Sequence, residues 1–180
     1  MSIKWVYGNF DPKKTNIYGW EKALSPRAVA CLCRAIRDEV KLPPIKIVEL
    51  PRYENSSLHE NNLPTYIISL LGDPDNRGKL EGGHNRAFAE YIMGVKWLCN
   101  LPDGVVAEID ESSGLVNGIP EIGMDAGHLP NIIEIKDMIL YTGDDSKRFE
   151  RHKKMYPEYK EPSKQDLELV FSLVEKLKHE

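Results

Sequence analysis

The chain has 180 residues, of which 41% are hydrophobic and 29% charged, with a formal net charge of −4. At that length one core can bury roughly 70% of the unfolded surface, and the balance excludes collagen-like, disordered and disulfide-dense classes. With 24 Lys plus Arg against 28 Asp plus Glu, a main task of coating nucleic acid is disfavoured, because phosphate neutralisation dominates such binding.

The first 24 residues read as aromatic and irregular, with Trp5, Tyr7, Phe10, Tyr18 and Trp20 punctuated by Gly8, Pro12 and Gly19. MSIKWVYGNFDPKK lacks the uninterrupted apolar stretch of a secretory leader, so a cytoplasmic location is expected. Ser25 is a natural N-cap and Pro26 suits the first helical position. Val29, Leu32, Cys33, Ile36 and Val40 then share one face, opposite Arg27, Arg34, Arg37, Asp38 and Lys41. Pro43 and Pro44 are expected to stop this helix, and IKIVEL (45–50) follows as an apolar strand.

Residues 51–64 are polar and bounded by proline, the pattern of a loop or insertion. PTYIISLLG (64–72) predicts a second strand, and GDPDNRGK (72–79) supplies turn residues. A short strand at Lys79–Glu81 leads into GGHNRAFAEYIMG (82–94). There Phe88, Tyr91, Ile92 and Val95 mark a helix face, and Gly94 suits the C′ position.

GVVAEID (104–110) predicts a strand, ESSGLVNGIPEIGMDAGHLP is rich in turn residues, and NIIEIKDMILYTG (131–143) fits strand and helix equally poorly. Even its apolar part is broken by Glu134, Lys136 and Asp137, and no apolar run reaches the roughly 18 residues of a membrane span. KRFERHKK (147–154) reads as a solvated helix face and is the main candidate for a basic patch. Ser163 with Asp166 three residues on marks a last helix, whose stripe of Leu167, Val170, Phe171, Val174 and Leu177 suits docking on the core or a homodimer contact.

Three cysteines, Cys31, Cys33 and Cys99, in no regular spacing argue for a reducing compartment. Cys31 and Cys33 diverge by about 200° on a helix and read as small core residues. The five histidines show no HExxH or paired spacing, so no metal-ligating residues are assigned.

The element that carries chemistry is strand–GGHNR–helix. Two glycines allow a tight turn and close approach of a ligand, and the helix start points unpaired N–H groups at it. His84, Asn85 and Arg86 add side-chain donors, and the guanidinium fork suits phosphate oxygens. The plain alternative is a tight connection with no ligand.

The order LCRAIRDEVKLPPIKIVEL, β-rich segments, then KLEGGHNRAFAEYIMG resembles the core of the ParB/sulfiredoxin superfamily. The resemblance spans about residues 20–110, with an insertion over 51–78. It implies an α+β fold: a small mixed sheet with flanking helices. Residues 1–110 would form the nucleotide-binding core, and 111–180 a C-terminal helical extension on the same domain. Gly82, Gly83, His84, Asn85 and Arg86 would hold nucleotide phosphates.

Sulfiredoxins read Gly-Gly-Cys-His-Arg here; His84 stands in the cysteine's place, so sulfinic acid reduction is not expected. The Gly-Glu-Arg-Arg signature and helix-turn-helix of chromosome-partition ParB proteins are not evident. The spelling is nearest to the Asp-Gly-His-His-Arg of the free-serine-kinase branch, without its first Asp and second His.

That branch implies a carboxylate base ahead of the first long helix, where Glu21 stands, and His84 would contact phosphate or move a proton. Glu81 either holds a metal ion or caps a strand, and Arg52 and His59 are candidate lid residues. The implied function is NTP hydrolysis or small-molecule phosphotransfer with ATP, ADP or CTP, Mg²⁺ assisting. The alternatives are a DNA-associated ParB-like nuclease or partition accessory factor, and a non-catalytic interaction scaffold.

Overall fold

An apolar or aromatic side chain recurs along WVYGNF and NIYG, and both segments are extended. The computed structural model describes residues 4–19, 21–51, 62–68, 83–110, 112–113, 115–117, 127–128 and 132–180. In chain order its elements begin with β1 (Trp5–Phe10), β2 (Asn16–Gly19), β3 (Ala23–Leu24), α1 (Pro26–Arg37), β4 (Ile45–Glu49) and β5 (Thr65–Ile68). They continue with α2 (His84–Met93), β6 (Trp97–Pro102), β7 (Glu108–Asp110), β8 (Leu115–Asn117) and β9 (Gly127–His128). The last are β10 (Ile133–Glu134), β11 (Ile139–Leu140), α3 (Ser146–Met155) and α4 (Lys164–Lys178).

The fold is mixed α+β and divides into two units interleaved along the chain, each drawing on residues before and after position 110. One comprises Met1–Trp20, Pro44–Gly83 and Lys96–Glu134; the other comprises Glu21–Pro43, His84–Val95 and Ile135–Glu180.

The first unit holds a mixed sheet in the order β1-β6-β4-β5-β2-β10. β4 pairs parallel with β6 and antiparallel with β5, and Ile45, Lys46, Ile47 and Val48 are all buried. Burial along both faces of this strand includes the polar Lys46 between Ile45 and Ile47. Tyr18, Val48, Leu50, Ile67, Ala107 and Val116 form a core cluster, against which Trp5, Val105 and Ile132 pack.

The N-terminal segment corrects the expectation of irregular structure. β1 pairs antiparallel with β6 from Trp5↔Pro102 to Phe10↔Trp97, and a 3₁₀ turn at Pro12–Lys14 joins it to β2. An edge strand needs little apolar patterning, and Tyr7 and Val6 stay exposed, so its sequence signal is weak. GVVAEID forms a strand only over Glu108–Asp110, because Gly104 takes a φ of 68° and Val106 makes an isolated bridge with Glu49. The turn-rich segment beyond it contributes β8 and β9 to a three-stranded ribbon with β7. The expected strand at Lys79–Glu81 lies outside the described residues.

In the second unit, Ser25 caps α1 as expected, its Oγ accepting from the Ala28 N–H at 3.1 Å. The helix ends at Arg37 rather than at the prolines, because Glu39 turns into the left-handed region at a φ of 60°. Val40 is consequently 44% exposed instead of continuing the core face. Cys31 and Cys33 are buried free thiols whose ionisation burial pushes up to about 11 and about 12, as suits packing residues.

NIIEIKDMILYTG fits neither period because it is neither one helix nor one strand. It breaks into β10, a 3₁₀ turn at Ile135–Asp137, and β11, which pairs parallel with β3. α3 buries only Phe149 and His152 and exposes Lys147, Arg148, Arg151 and Lys154, so the basic run is a solvated face. α4 packs on α1 and α2 through buried Val170 and Val174 and leaves Phe171 53% exposed. Among the described residues no helix is long and apolar enough to cross a membrane.

Candidate functional site

Three helix starts in the second unit raise the same physical demand. The first turn of a helix has N–H groups with no intrahelical acceptor and carries the positive end of the dipole. At α1 and α4 the chain supplies its own anion.

At α1 that anion is Asp145. Its Oδ2 accepts from Ser25 Oγ at 2.7 Å and from the Arg27 backbone N–H at 3.3 Å. Its Oδ1 accepts from Arg27 Nε at 2.8 Å and lies 2.6 Å from Nη2. Burial acts to raise the Asp145 ionisation, but the bonds from Arg27 and Ser25 outweigh it and hold the carboxyl below its ordinary range.

At α4 the anion is Asp166, closed into a capping box with Ser163. Its carboxylate accepts from the Ser163 N–H at 2.8 Å, from Arg37 Nη2 at 2.9 Å and from Arg34 Nη1 at 3.3 Å. Burial again opposes ionisation and is outweighed by Ser163 and Arg37. The capping carboxylate was legible in the sequence; its two arginine partners, which read as a solvent face, were not.

α2 differs. Gly83 precedes it with a φ of 87°, a left-handed turn that glycine adopts without steric cost. His84 opens the helix, and no acidic residue occupies the first turn. Arg86 is only 3% exposed, yet its Nε is buried without a hydrogen-bond partner among the described residues. The same holds for Asn85 Oδ1 and for Glu90 Oε2, one turn further along. The Asn85 amide can present either its oxygen or its NH₂ in that place.

The ionisations follow from this environment. His84 is pushed down to about 4, first by burial and then by the Arg86 charge, so it is neutral at physiological pH. Glu90 is pushed up to about 7 by burial, with Arg86 opposing the rise. The first two turns of α2 thus carry a buried cation, a neutral imidazole and a carboxyl balanced between its two forms. A buried guanidinium without a full set of partners costs several kcal/mol unless an anion meets it.

The expected phosphate-binding residues Gly83, His84, Asn85 and Arg86 therefore lie on one continuous turn into α2, and Gly83, His84 and Arg86 are buried. Gly82, Glu81, Arg52 and His59 lie outside the described residues. Glu21 is an exposed residue in the turn ahead of β3. Glu90 was missed from sequence because it sits within an amphipathic FAEYIM run, where a glutamate reads as the solvent side. Its i, i+4 spacing from Arg86 was the available signal.

No group of three or more His, Cys, Asp or Glu side chains among the described residues is placed to hold a metal ion. Comparison of the chain with protein-family models, with curated proteins and with solved structures gave no significant match.

Proposed function

We propose that this chain is a nucleotide-binding protein of ParB/sulfiredoxin type that holds phosphates at the GGHNR start of α2. The observation that carries the reading is Arg86: a buried cation whose Nε has no hydrogen-bond partner among the described residues, in the first turn of a helix that has no acidic residue there. A phosphate would satisfy the guanidinium and the helix N–H groups together.

The reaction proposed is NTP hydrolysis or phosphotransfer to a small hydroxyl-bearing acceptor, with ATP, ADP or CTP. Arg86 and the N–H groups of α2 would neutralise charge that develops on the transferred group. Neutral His84 adds no charge of its own at the helix start and so leaves the cationic role there to Arg86. Glu21, exposed just ahead of β3, would serve as the base toward the acceptor. Mg²⁺, when bound, would supply further charge neutralisation; with no cluster of three or more ligands among the described residues, it would be held largely by phosphate oxygens and water.

Isothermal titration with ATP, ADP and CTP, with and without Mg²⁺, tests this reading. We expect saturable binding of at least one nucleotide and its loss in Arg86→Ala. Absence of binding by all three, in both conditions, contradicts it.

The DNA-associated reading draws on one observation, the four exposed basic residues Lys147, Arg148, Arg151 and Lys154 of α3. Arg148 is already engaged over the Tyr141 ring, 4.4 Å from its centroid, which reduces what the patch offers. A gel shift below micromolar protein at low salt, abolished by Lys147→Glu with Arg151→Glu, would favour this second reading.

A further inference from the structure

Glu90 is a buried acid that charge neutralisation of a phosphate does not need. It lies four residues beyond Arg86, hence on the same face of α2 about one turn away. Both side chains are more than nine-tenths buried: Arg86 is 3% exposed and Glu90 9%. Among the described residues each keeps one buried polar atom without a hydrogen-bond partner, a donor at Arg86 Nε and an acceptor at Glu90 Oε2. Long helical side chains tend to lean toward the helix N-terminus, a direction that would bring both toward the start of α2.

An anion alone answers only half of this arrangement. A fully deprotonated oxyanion meets Arg86 favourably but repels an ionised Glu90. An oxyanion that carries a hydroxyl meets both, its negative oxygens accepting from Arg86 and its O–H donating to the carboxylate. Resting on the phosphate reading of the α2 start, we propose that Glu90 is its specificity-determining residue, selecting a protonatable phosphate oxygen over a fully ionised oxyanion of the same shape. Sulfate is the discriminating probe, because it has the size and charge of monohydrogen phosphate but no proton to give.

The protonation state of Glu90 sharpens the expectation. Of the charged residues on α2 and on the elements packed against it (α1, α4 and the 3₁₀ turn at Ile135–Asp137), Arg86 is the one that acts on Glu90 among the described residues. Glu90 titrates at about 7, so at pH 8.5 it is mostly ionised. Sulfate can then bind only if a proton is taken up from solvent, whereas monohydrogen phosphate brings its own. Near pH 6 the carboxyl is protonated, becomes a donor and accommodates sulfate.

The test is calorimetric titration of the full chain with sodium phosphate and with sodium sulfate at pH 8.5 and matched ionic strength. We expect phosphate to bind at least tenfold more tightly than sulfate. In Glu90→Gln, whose amide can donate to either ion, the ratio should fall to within about twofold. Equal binding of the two ions by the wild type, or a tenfold preference retained by Glu90→Gln, overturns the inference.

Should Glu90→Gln fail to fold, the wild type alone decides: sulfate affinity must rise at least tenfold from pH 8.5 to pH 6, and a flat profile overturns the inference. The two proposals fail differently. Nucleotide binding without phosphate–sulfate discrimination removes only the role of Glu90, whereas no binding of phosphate, sulfate or nucleotide removes the anion site itself.

Discussion

The starts of α1 and α2 each place an arginine in the first turn of a helix, and they treat it in opposite ways. Arg27 is gripped by Asp145, which also takes the Ser25 hydroxyl and the Arg27 N–H. Arg86 is far more buried and leaves its Nε without a partner among the described residues. The first start is complete as folded, with cation, carboxylate and helix dipole offsetting one another. The second has no such carboxylate partner among the described residues, and on the proposed function a bound anion would take that place. A charge is informative only when its partners are counted: Arg34 and Arg37 both reach Asp166, at 3.3 and 2.9 Å, although Arg34 Nε itself has no hydrogen-bond partner among the described residues.

The largest effect that sharpens this contrast is expected from removing an internal anion. Asp166→Ala deletes a helix cap and leaves two arginines short of a partner. It should destabilise the protein by about 3 kcal/mol, after discounting for the partial exposure of both guanidiniums. Urea unfolding checks it, and a loss below about 1 kcal/mol would show that the α4 start does not depend on its carboxylate.

A smaller effect, on the order of 2 kcal/mol, concerns pH. Glu90 has a raised ionisation, so its burial costs more stability as pH rises from 4.5 to about 7. His84 has a depressed one, so its burial costs more as pH falls from 6.5 to about 4. In the wild type the two slopes oppose each other between pH 4.5 and 6.5. Glu90→Gln should therefore unmask a rise in stability with pH across that window, and His84→Gln a fall. Two variants with the same slope would show that these groups do not titrate as placed.

The smallest change compares how the two starts are shaped. Ser25→Ala removes the side-chain cap of α1, and Gly83→Ala forces a side chain into a left-handed turn at a φ of 87°. Each should cost about 1 kcal/mol in thermal unfolding. Only Gly83→Ala should also weaken nucleotide binding; equal binding losses in both would erase the distinction between the two starts.

What the sequence made legible follows the same divide between local and distant interactions. Ser25-Pro26 and Ser163 with Asp166 announce α1 and α4 because a cap is a contact within one turn. Gly94 closes α2 for the same reason: its φ is 70°, and the Val95 N–H reaches the Glu90 carbonyl at 3.2 Å. β1 was illegible because its partner β6 lies some ninety positions along the chain and its own residues are half exposed. The GGHNR turn could be read as an anion cradle from composition alone. That Arg86 and Glu90 are buried, with atoms lacking a partner among the described residues, depends on what packs around α2, which no local pattern states.

The central claim, that the start of α2 is incomplete without an outside anion, is tested most directly by equilibrium unfolding of the wild type and Arg86→Leu. Each is measured in anion-poor buffer and again with ATP, ADP or CTP. Without nucleotide the variant should be at least as stable as the wild type, because a buried cation with an unsatisfied Nε is replaced by an apolar side chain. With nucleotide at about a hundredfold over its dissociation constant, the wild type should gain about 3 kcal/mol and the variant nothing. A variant destabilised by several kcal/mol in the anion-poor buffer, together with a wild type that gains nothing from any of the three nucleotides, would contradict the claim.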